Sequence, residues 1–491
     1  MTERHARPAT ASDAVDAVLA SNRGPFSFRP SPTGILEAHE GVGAVAEALA
    51  TVAHDRAGRT TWVACPVSEH DYTAVANGTA AVSARALPYE AVHVLPERPA
   101  LHGYYDGMSN GILWPACHDL WDDLGLEVGD WDGNLRAYDD VNRLFADALA
   151  RHSSAAAVVS LHDYHVLRVA RHLRRLQPDR RVGLFLHVPW RARGFSRLPE
   201  RLVRAVVDGM LGADVVGFQT TDWIDEFLET CETLGYEVDA ERRSVRADRD
   251  RWSWMKAYPV ALEPAKVERL ARTPHAERWA AEIDGGVSRP LIARVDRIEP
   301  SKNQIRGFEA FEVLERGGGF EHATFVACLI PRRAEIPAYR RYRAALEARA
   351  EAINRARPGA VRLYVGEDRE RALALLRLHD VLLVNSVADG MNLVAKEGAL
   401  LNENDGALVV SSTVGAAREL GEGAIVIDDP RDVQATAQAL GRALSLPSGE
   451  RARRAALLRR HVARDSPAAW FRDQVEDLLH VRDHGRPRPG S

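Results

Sequence analysis

The chain has 491 residues, of which 46% are hydrophobic and 27% are charged, and its formal net charge at pH 7 is −5. This length predicts two or three domains, and the composition is typical of a globular protein. The slightly acidic balance, without a long basic run, argues against a general nucleic-acid-binding protein. No apolar run approaches the roughly 20 residues that a membrane-spanning helix needs.

The first thirteen residues are polar and contain no hydrophobic signal core, so we expect a cytoplasmic protein. The chain has four cysteines, which are far apart and lack the paired spacing of metal sites: Cys65, Cys117, Cys231 and Cys328. We expect them to be buried thiols in a reducing compartment, neither disulfide-bonded nor zinc-bound.

Short β-branched runs alternate with longer amphipathic stretches along the chain, a pattern typical of parallel sheets covered by helices. In the first half we predict strands at residues 17–21, 60–65, 91–96, 156–162, 182–188 and 213–218. In the second half we predict strands at residues 289–295, 323–330, 361–365, 380–386, 407–412 and 424–428. The predicted fold class is therefore α/β, with two doubly wound Rossmann-like domains facing a cleft.

The two predicted domains are joined at residues 252–264, which read as a strand followed by a proline-ended connection. This connection predicts Rossmann-like domains at residues 1–257 and 258–465. A Ser-Pro start signal predicts a helix at residues 466–482, and we expect it to cross back to the first domain. The polar residues 483–491 are predicted to form a disordered tail.

Residues 380–401 combine an apolar strand, a glycine-containing turn and a helix predicted to begin near Met391. Free N–H groups at a helix start, together with the helix dipole, suit a phosphate or pyrophosphate. Glu397, in this helix, is suited to accept hydrogen bonds from a ribose diol. An ordinary strand–turn–helix unit with an aspartate cap is the alternative.

A second candidate phosphate segment contains Arg297 and Lys302, five residues apart across a proline-containing loop after a predicted strand. Two fixed cations at this place would neutralise a departing diphosphate without a metal ion. The chain contains only four lysines, so Lys302 marks a position where a compact ammonium suits better than a guanidinium. Solvated surface charges are the alternative.

Polar residues also follow two strands of the first half: His162, Asp163 and His165 follow one strand, and His187 follows the next. Such donors suit a metal ion, but their spacing matches no strong metal motif. They suit equally well the hydroxyl groups of a bound sugar.

The first predicted strand is followed by Arg23 and then by a short glycine pair, Gly41 and Gly43. Glycines without side chains let a ligand approach the backbone, although such pairs are frequently only turns. Arg23 adds a cation at the carboxyl end of the strand, where α/β sheets bind ligands.

In their order and spacing, these segments resemble the trehalose-6-phosphate synthase family, retaining glucosyltransferases of the GT-B type. The resemblance extends from Ala20 to Leu479. The motifs that carry it are SNRGP, GYYDGMSNGILWPACHD, HDYHVL, FLHVPW, GFQT, SKN and DGMNLVAKE. The details of SKN and of the Asn-Ser pair at 385–386 point to the actinobacterial members.

The resemblance implies that glucose moves from a nucleotide-glucose to glucose 6-phosphate, which gives trehalose 6-phosphate. It implies an acceptor-binding first domain and a nucleotide-sugar-binding second domain. The residues it assigns to the acceptor are Arg23, Tyr105, Trp114, Arg333 and Asp163. The residues it assigns to the donor glucose are His187, Gly43, Asp389, Gly390, Met391 and Asn392. Those it assigns to the donor diphosphate and ribose are Arg297, Lys302, Leu393, Val394 and Glu397.

Catalysis is implied to rest on Arg297, Lys302, Asp163, His187 and Asp389. The resemblance implies no metal ion and no cofactor, because the nucleotide sugar is itself a substrate. The expected partners are small molecules, with no nucleic acid and no membrane, and a homo-oligomer is compatible with the sequence.

The chain also departs from the family at several positions. The family's ERLDYSKG reads DRIEPSKN, so Asn303 replaces a glycine. Val42 stands at a glycine position, and Arg191 follows the VPW motif where many members have proline. Residues 364–371 differ from the segment that would touch the nucleotide base.

These departures leave several readings open. The donor base is UDP or GDP, and the actinobacterial details favour GDP. The acceptor alternatives are glycerol 3-phosphate and a cyclitol phosphate, as in a pseudo-glycosyltransferase. A non-catalytic sugar-nucleotide-binding protein is the alternative from another functional class.

Overall fold

A computed structural model describes residues 15–40, 44–56, 58–333, 336–464 and 466–488. The described residues divide into two compact units. The first unit comprises the described residues of Met1–Asp119, Glu127–Pro259 and Pro467–Ser491, and the second those of Leu120–Leu126 and Val260–Ser466.

The first unit is built on a mainly parallel sheet. Its strands are β1 Ala17–Ser21, β2 Phe26–Pro30, β3 Leu36–Glu40, β4 Thr60–Ala64, β5 Glu90–His93, β6 Val158–His162, β7 Val182–Phe185, β8 Val215–Phe218, β9 Val238–Asp239, β10 Ser244–Asp248 and β11 Arg251–Ala257. Among the described residues, nine of them form one sheet in the order β5-β4-β1-β6-β7-β8-β11-β10-β9, and β2 pairs with β3 in a separate hairpin. The pairs from β5 to β11 are parallel, whereas β10 is antiparallel to both of its neighbours.

The strand order of the first unit reverses between β1 and β6. From β1 the chain moves outward to β4 and β5, and it then returns to β6 on the other side of β1. β1 and β6 are buried along their whole length, which explains why both read as continuous apolar runs. Parallel α/β sheets bind ligands outside the carboxyl ends of the strands at such a reversal.

Helices surround this first sheet. Their bounds are Ala44–Asp55, Glu69–Ala76, Thr79–Ala84, Arg98–His102, Trp114–His118, Trp131–Arg151, Val169–Leu176, Ala192–Phe195, Glu200–Met210, Thr221–Thr233 and Pro467–His484. A π-helix, Gly103–Leu113, lies directly before Trp114–His118. π-Helical turns are rare and occur frequently at functional sites.

The second unit contains a fully parallel sheet. Its strands are β12 Leu291–Ile298, β13 Thr324–Pro331, β14 Val361–Val365, β15 Val381–Val384, β16 Ala407–Ser411 and β17 Ile425–Ile427. Their order is β14-β13-β12-β15-β16-β17, so the direction of winding reverses between β12 and β15. The parallel sheets of the two units confirm the predicted α/β, Rossmann-like fold class.

Helices cover this second sheet as well. Their bounds are Trp121–Leu124, Pro264–Leu270, Pro274–Gly286, Gln304–Arg316, Pro337–Ala356, Arg369–Leu378, Leu393–Leu401, Ala416–Leu420, Val433–Leu444 and Ser448–Val462, with a 3₁₀ turn at Pro300–Lys302. The core beneath them includes Phe308, Phe311 and Phe325, which are fully buried. No helix in the described part of the chain is both long and apolar enough to cross a bilayer.

The strands of both sheets lie where the apolar runs predict them, but the sequence analysis missed the β2–β3 hairpin and the β9–β10 pair. It also did not anticipate that Leu120–Leu126 groups with the second unit. The structure describes all four cysteines, and each is a buried free thiol, as predicted.

Helix Pro467–His484 groups with the first unit and packs against its sheet through Trp470. The Trp470 ring contacts Phe185 edge-on with ring centroids 5.0 Å apart, and its Nε1 donates to the Tyr258 carbonyl at 3.0 Å. About two turns further along the helix, Asp477 accepts a hydrogen bond of 2.7 Å from the Tyr258 hydroxyl. The helix is therefore tied to the sheet by both apolar and polar contacts.

The sequence predicted a disordered tail from residue 483 onward, but the structure describes an ordered backbone as far as residue 488. The helix continues to His484, and the backbone N–H of Arg488 donates to Asp477 Oδ1 at 3.2 Å. The Arg488 guanidinium also pairs with Asp477, at 3.0 Å. The reason is electrostatic, because Asp477 is fully buried and the cations Arg488 and Lys256 compensate its charge.

We expect Trp470→Ala to lower the free energy of unfolding by about 3–5 kcal/mol, because it removes a buried indole and leaves a cavity against the sheet. Chemical denaturation followed by circular dichroism measures this change. The matched control is Leu176→Ala, since Leu176 is 53% exposed and its loss should change stability by no more than about 0.5 kcal/mol. Equal effects of the two substitutions would contradict the assignment of helix Pro467–His484 to the core.

Candidate active site

The loops after β12 and β15 meet at the strand reversal of the second unit. Lys302 ends the 3₁₀ turn after β12, and Asp389 lies in the turn after β15. The Lys302 ammonium forms an ion pair with Asp389 Oδ2, and the two side chains are 10% and 15% exposed. The backbone joins the same loops, because the N–H of Val387 donates to the Ser301 carbonyl at 2.8 Å.

The fully buried Arg294 hydrogen-bonds to the backbone of Lys302 and to two neighbouring side chains. Arg294 donates from Nε to Asp296 Oδ2 at 2.9 Å and from Nη1 to Asn385 Oδ1 at 2.7 Å. Its Nη2 donates to the carbonyl of Lys302. Burial raises the pKa of Asp296, whereas the nearby charges of Arg294 and Lys302 act in the opposite direction.

The turn before helix Leu393–Leu401 has the geometry of an anion-binding helix start. Asn392 adopts a left-handed backbone with φ 70°, and its Oδ1 caps the helix by accepting from the Ala395 N–H at 3.1 Å. Its Nδ2 donates to Asp389 Oδ2 at 2.9 Å. The first N–H groups of the helix, from Leu393 onward, have no partner inside the helix and suit a negative charge.

A second loop fixes the position of this turn. The Asp389 N–H donates to the Thr413 carbonyl at 3.1 Å, and the Ala416 N–H donates to the Met391 carbonyl at 2.9 Å. Between them, a Cβ added at Gly415 would lie 1.9 Å from the Gly390 carbonyl oxygen. Only glycine fits there, so the backbone of Gly390 is held in close contact with its neighbour.

Glu397 and Lys396 lie in the first half of the same helix but have different surroundings. Glu397 is 3% exposed, and Arg369 binds its carboxylate with both terminal nitrogens, one of them at 3.0 Å. Lys396 points away from the turn, since its ammonium donates to the Val260 carbonyl at 2.7 Å and pairs with Glu419. Lys396 is therefore an internal structural cation, not part of a phosphate site as its segment suggests.

The two candidate arginines of this unit are placed at different strand ends. Arg297 is the last residue but one of strand β12, and its side chain is 43% exposed and pairs with Glu299 at 3.3 Å. Arg333 follows β13 with a left-handed backbone, φ 52°, and donates to the Tyr339 hydroxyl at 2.7 Å. Arg333 thus belongs to the second unit, whereas Arg23, Tyr105 and Trp114 belong to the first.

In the first unit, the residues after β6 and β7 form a compact polar cluster. The His162 Nδ1 and His187 Nε2 atoms are 3.3 Å apart, and His162 Nε2 lies 2.9 Å from the Ser160 hydroxyl. Asp163 has a left-handed backbone with φ 77° and accepts from the His187 N–H at 3.3 Å. The predicted grouping of Asp163 and His187 is thus present as a direct contact.

Burial keeps these two imidazoles neutral. Desolvation lowers the pKa of His162 to about 3. It also lowers the pKa of His187 well below its ordinary value, and the neighbouring His162 adds to that shift. Each ring lies 5.9 Å from the Trp470 ring, so the last helix supplies part of the apolar cover.

The two aromatic residues that the resemblance assigns to the acceptor lie on the π-helix and on the short helix after it. Tyr105 stacks on His165 with ring centroids 5.8 Å apart and an angle of 16° between the rings. Trp114 is buried and packs on Tyr164 at 5.6 Å. The π-helix is joined to the loop that contains Arg23, because the Tyr104 hydroxyl donates to Asn22 Oδ1 at 2.8 Å.

Gly41, Val42 and Gly43 lie outside the described residues. Among the residues that are described, no group of three or more histidine, cysteine, aspartate or glutamate side chains is arranged to hold a metal ion.

The sequence analysis missed two site residues, Arg294 and Arg369. The sequence does contain a signal for Arg294, because a charged residue inside the apolar run 289–295 requires a buried partner. It contains no such signal for Arg369, since 28 positions separate this arginine from its partner Glu397.

We expect the free energy of unfolding to fall as the pH is lowered from about 7 to about 5, because buried His162 stays neutral while the unfolded chain takes up a proton near pH 6.5. The unfolded state then binds more protons, and each such histidine contributes a slope of up to about 1.4 kcal/mol per pH unit. Urea denaturation at several pH values measures this slope.

His162→Phe should flatten that slope, since it removes one of the titrating groups. An unfolding midpoint that does not change with pH in this interval would show that the histidines are not held neutral. A slope of the same size in His162→Phe would show that His162 is not one of the groups responsible.

The comparisons with known proteins agree on one family. Residues 16–480 match the family model of Glycosyltransferase family 20. The chain is 30% identical to the trehalose-6-phosphate synthase of Mycobacterium sp. (strain KMS), covering 98% of both chains. It is 29% identical to the trehalose-6-phosphate synthase of Mycobacterium leprae (strain TN), covering 95% of both.

Solved structures give the same result. An α,α-trehalose-phosphate synthase (UDP-forming) from Burkholderia xenovorans, in complex with glucose-6-phosphate, superposes with a TM-score of 0.78 at 26% identity, over 94% of this chain and 100% of that one. An E. coli structure bound with UDP-2-fluoro glucose gives a TM-score of 0.76 at 25% identity, over 96% of this chain and 100% of that one. The resemblance inferred from the motifs is thereby confirmed: the chain is a glycosyltransferase of the GT-B class and belongs to the trehalose-6-phosphate synthase family, glycosyltransferase family 20.

Proposed function

We propose that this chain transfers glucose from a nucleotide-glucose to glucose 6-phosphate, giving trehalose 6-phosphate and a nucleoside diphosphate. The observation that carries the proposal is the Lys302–Asp389 pair at the strand reversal, beside the start of helix Leu393–Leu401. A cation beside the free N–H groups of a helix start is an arrangement that binds phosphate groups, which supports a sugar diphosphate as the ligand. The names of the relatives, and the ligands of the two solved structures, support the same substrates.

The donor diphosphate would be bound by Arg297, Lys302 and the N–H groups of Leu393 and Val394. A lysine ammonium has three N–H donors, so its pairing with Asp389 leaves two for phosphate oxygens. Arg297 is 43% exposed and adds a second cation near the same strand end.

The donor glucose and ribose would be bound by the turn and by the helix that follows it. Asp389, Asn392 and the backbone of Gly390 and Met391 offer acceptors and donors for glucose hydroxyls, together with His187 of the first unit. Glu397 would accept from the ribose diol, since bidentate binding by Arg369 occupies only half of the lone pairs of its carboxylate. We extend the donor set to Gly43 on the family motif alone.

The acceptor phosphate and sugar would be bound by Arg23, Tyr105, Trp114 and Arg333, and Asp163 would contact the acceptor sugar. His187 suits its proposed role at the donor glucose, because an uncharged imidazole donates and accepts hydrogen bonds without adding positive charge beside the oxocarbenium-like sugar.

The chemistry follows from where charge develops. The bond between glucose C1 and the phosphate oxygen breaks, which leaves an oxocarbenium-like sugar and a negative charge on the leaving oxygen. Arg297, Lys302 and the helix N–H groups stabilise that charge where it forms. The acceptor hydroxyl attacks C1 from the same face, and its proton passes to the leaving phosphate oxygen.

This route retains the anomeric configuration without a protein nucleophile, so the paired carboxylates of hydrolases are not needed. We propose that it requires no metal ion, because the lysine, the arginine and the peptide dipoles supply the positive charge. We propose UDP-glucose or GDP-glucose as the donor. The Ser-Lys-Asn motif and the Asn-Ser pair at 385–386 favour GDP-glucose.

One of the two departures that favour a different acceptor has a structural explanation. Arg191 pairs with Glu226 at 3.1 Å and lies over the Trp223 ring at 5.7 Å. Its guanidinium thus has partners within the first unit, so Arg191 gives no reason to propose an acceptor other than glucose 6-phosphate. The other departure, Val42, lies outside the described residues.

We expect the purified protein to release nucleoside diphosphate from UDP-glucose or GDP-glucose when glucose 6-phosphate is present, in the absence of added divalent metal. Product analysis by NMR should show an α,α-linked disaccharide phosphate. Glycerol 3-phosphate and a cyclitol phosphate, tested as competing acceptors, should react much more slowly. No turnover with either donor would reject the proposal.

We expect Lys302→Ala to lower turnover by more than tenfold, a change of at least about 1.4 kcal/mol in transition-state stabilisation. The reason is the loss of an ammonium beside the leaving diphosphate. Steady-state kinetics measure the effect, and Lys266→Ala, on helix Pro264–Leu270, is the matched control that removes a lysine elsewhere in the unit. Near-normal turnover of Lys302→Ala would disprove this role.

A further inference from the structure

Asn303, directly after Lys302, has an unusual backbone and an unusually well-bonded side chain. Its φ is 60°, in the left-handed region that favours glycine, and the residue is 2% exposed. Its Nδ2 donates to two carbonyls, that of Asn385 at 3.0 Å and that of Pro430 at 2.6 Å. One side chain therefore ties the lysine loop to the loops that follow β15 and β17.

The other atom of this amide belongs to a chain of charged contacts. Asn303 Oδ1 accepts from Arg306 Nη1 at 3.0 Å, and Arg306 Nη2 donates to Asp123 Oδ1 at 3.0 Å. Asp123 Oδ2 accepts in turn from Arg431 Nη2 at 2.7 Å. Arg431 directly follows Pro430, whose carbonyl accepts from Asn303, so the contacts form a closed circuit of side chains and backbone.

Asp123 is the centre of this circuit and comes from the short segment Leu120–Leu126, which groups with the second unit. Its side chain is 9% exposed and bridges two guanidinium groups. Without its charge, Arg306 and Arg431 would face each other as like charges in a partly dry environment. The carboxylate therefore holds both arginines, and through Arg306 it holds Asn303.

We propose that Asn303, braced by Arg306, Asp123 and Arg431, is a positioning residue that fixes Lys302 for the departing diphosphate. Lys302 is held on both sides: Arg294 binds its carbonyl, and the circuit fixes the residue that follows it. A glycine at position 303 would allow the same φ but would lose all of these side-chain bonds. The inference rests on the proposed role of Lys302 in diphosphate binding.

The test compares Asn303→Gly, Asp123→Asn and the double variant with the wild type. Each single variant should lower kcat/KM for the nucleotide-glucose by roughly tenfold or more, since a displacement well under 1 Å of a catalytic cation is costly. Binding of UDP and GDP, measured by titration calorimetry on the folded protein, should weaken by a similar factor. The double variant should be no worse than the more damaging single variant, because both break one circuit.

Arg316→Ala is the matched control. It removes an exposed guanidinium that pairs with Glu312 at 2.5 Å, on the same helix as Arg306 and about 15 Å further along its axis. Its kcat/KM and diphosphate affinity should equal those of the wild type. If the Asn303 and Asp123 variants lose only thermal stability, while their kcat/KM and diphosphate affinity stay within about twofold of wild type, the inference is overturned.

The inference is also overturned if the fold-loss of kcat/KM in the double variant equals the product of the losses in the two single variants, because the two residues would then act independently. A failure of the proposed function is distinguishable, since a wild type without turnover still reports UDP and GDP affinity. If Asn303→Gly does not fold, Asp123→Asn, which keeps the side-chain size, decides by the same two measurements.

Discussion

The compensation of buried positive charge is the constraint on which the second unit depends. Lys302 and Arg294 are both withdrawn from water, and an unpaired ammonium or guanidinium in such a place would lose several kcal/mol of hydration free energy. Asp389 and Asp296 provide the compensating charges. Because Lys302 follows β12 and Asp389 follows β15, their pairing also joins the two sides of the strand reversal.

Such compensation has a consequence for the binding of an anionic substrate. Two uncompensated cations would bind a diphosphate tightly before and after reaction, and uniformly tight binding does not accelerate chemistry. The charge of Lys302 is instead partly compensated by Asp389. In the proposed reaction, the interaction of Lys302 with the leaving phosphate oxygen would grow as negative charge develops there, which is the condition for lowering a barrier. The Lys302–Asp389 pair is in this sense part of the proposed catalysis.

The sequence predicted most strands of the two sheets, because parallel buried strands read as continuous apolar runs. It could not predict the pairing of Arg369 with Glu397, or the circuit through Asp123, because no local pattern links residues so far apart in the chain. Lys396 is the opposite case, in which a local pattern suggests a contact that the structure does not show. It lies in the segment 380–401 that predicts a phosphate site, but its ammonium binds the Val260 carbonyl and Glu419.

In the first unit, two neighbouring histidines, His162 and His187, are kept uncharged beside the carboxylate of Asp163. His162 and His187 contact each other, so protonation of one would disfavour protonation of the other, and desolvation adds to that effect. Part of the apolar cover comes from Trp470, on a helix more than 280 positions later in the chain. The lowered pKa of His187 therefore depends in part on a segment that lies far from it in the chain. In this way the C-terminal helix, which has no proposed substrate contact, contributes to the burial that lowers the pKa of both histidines.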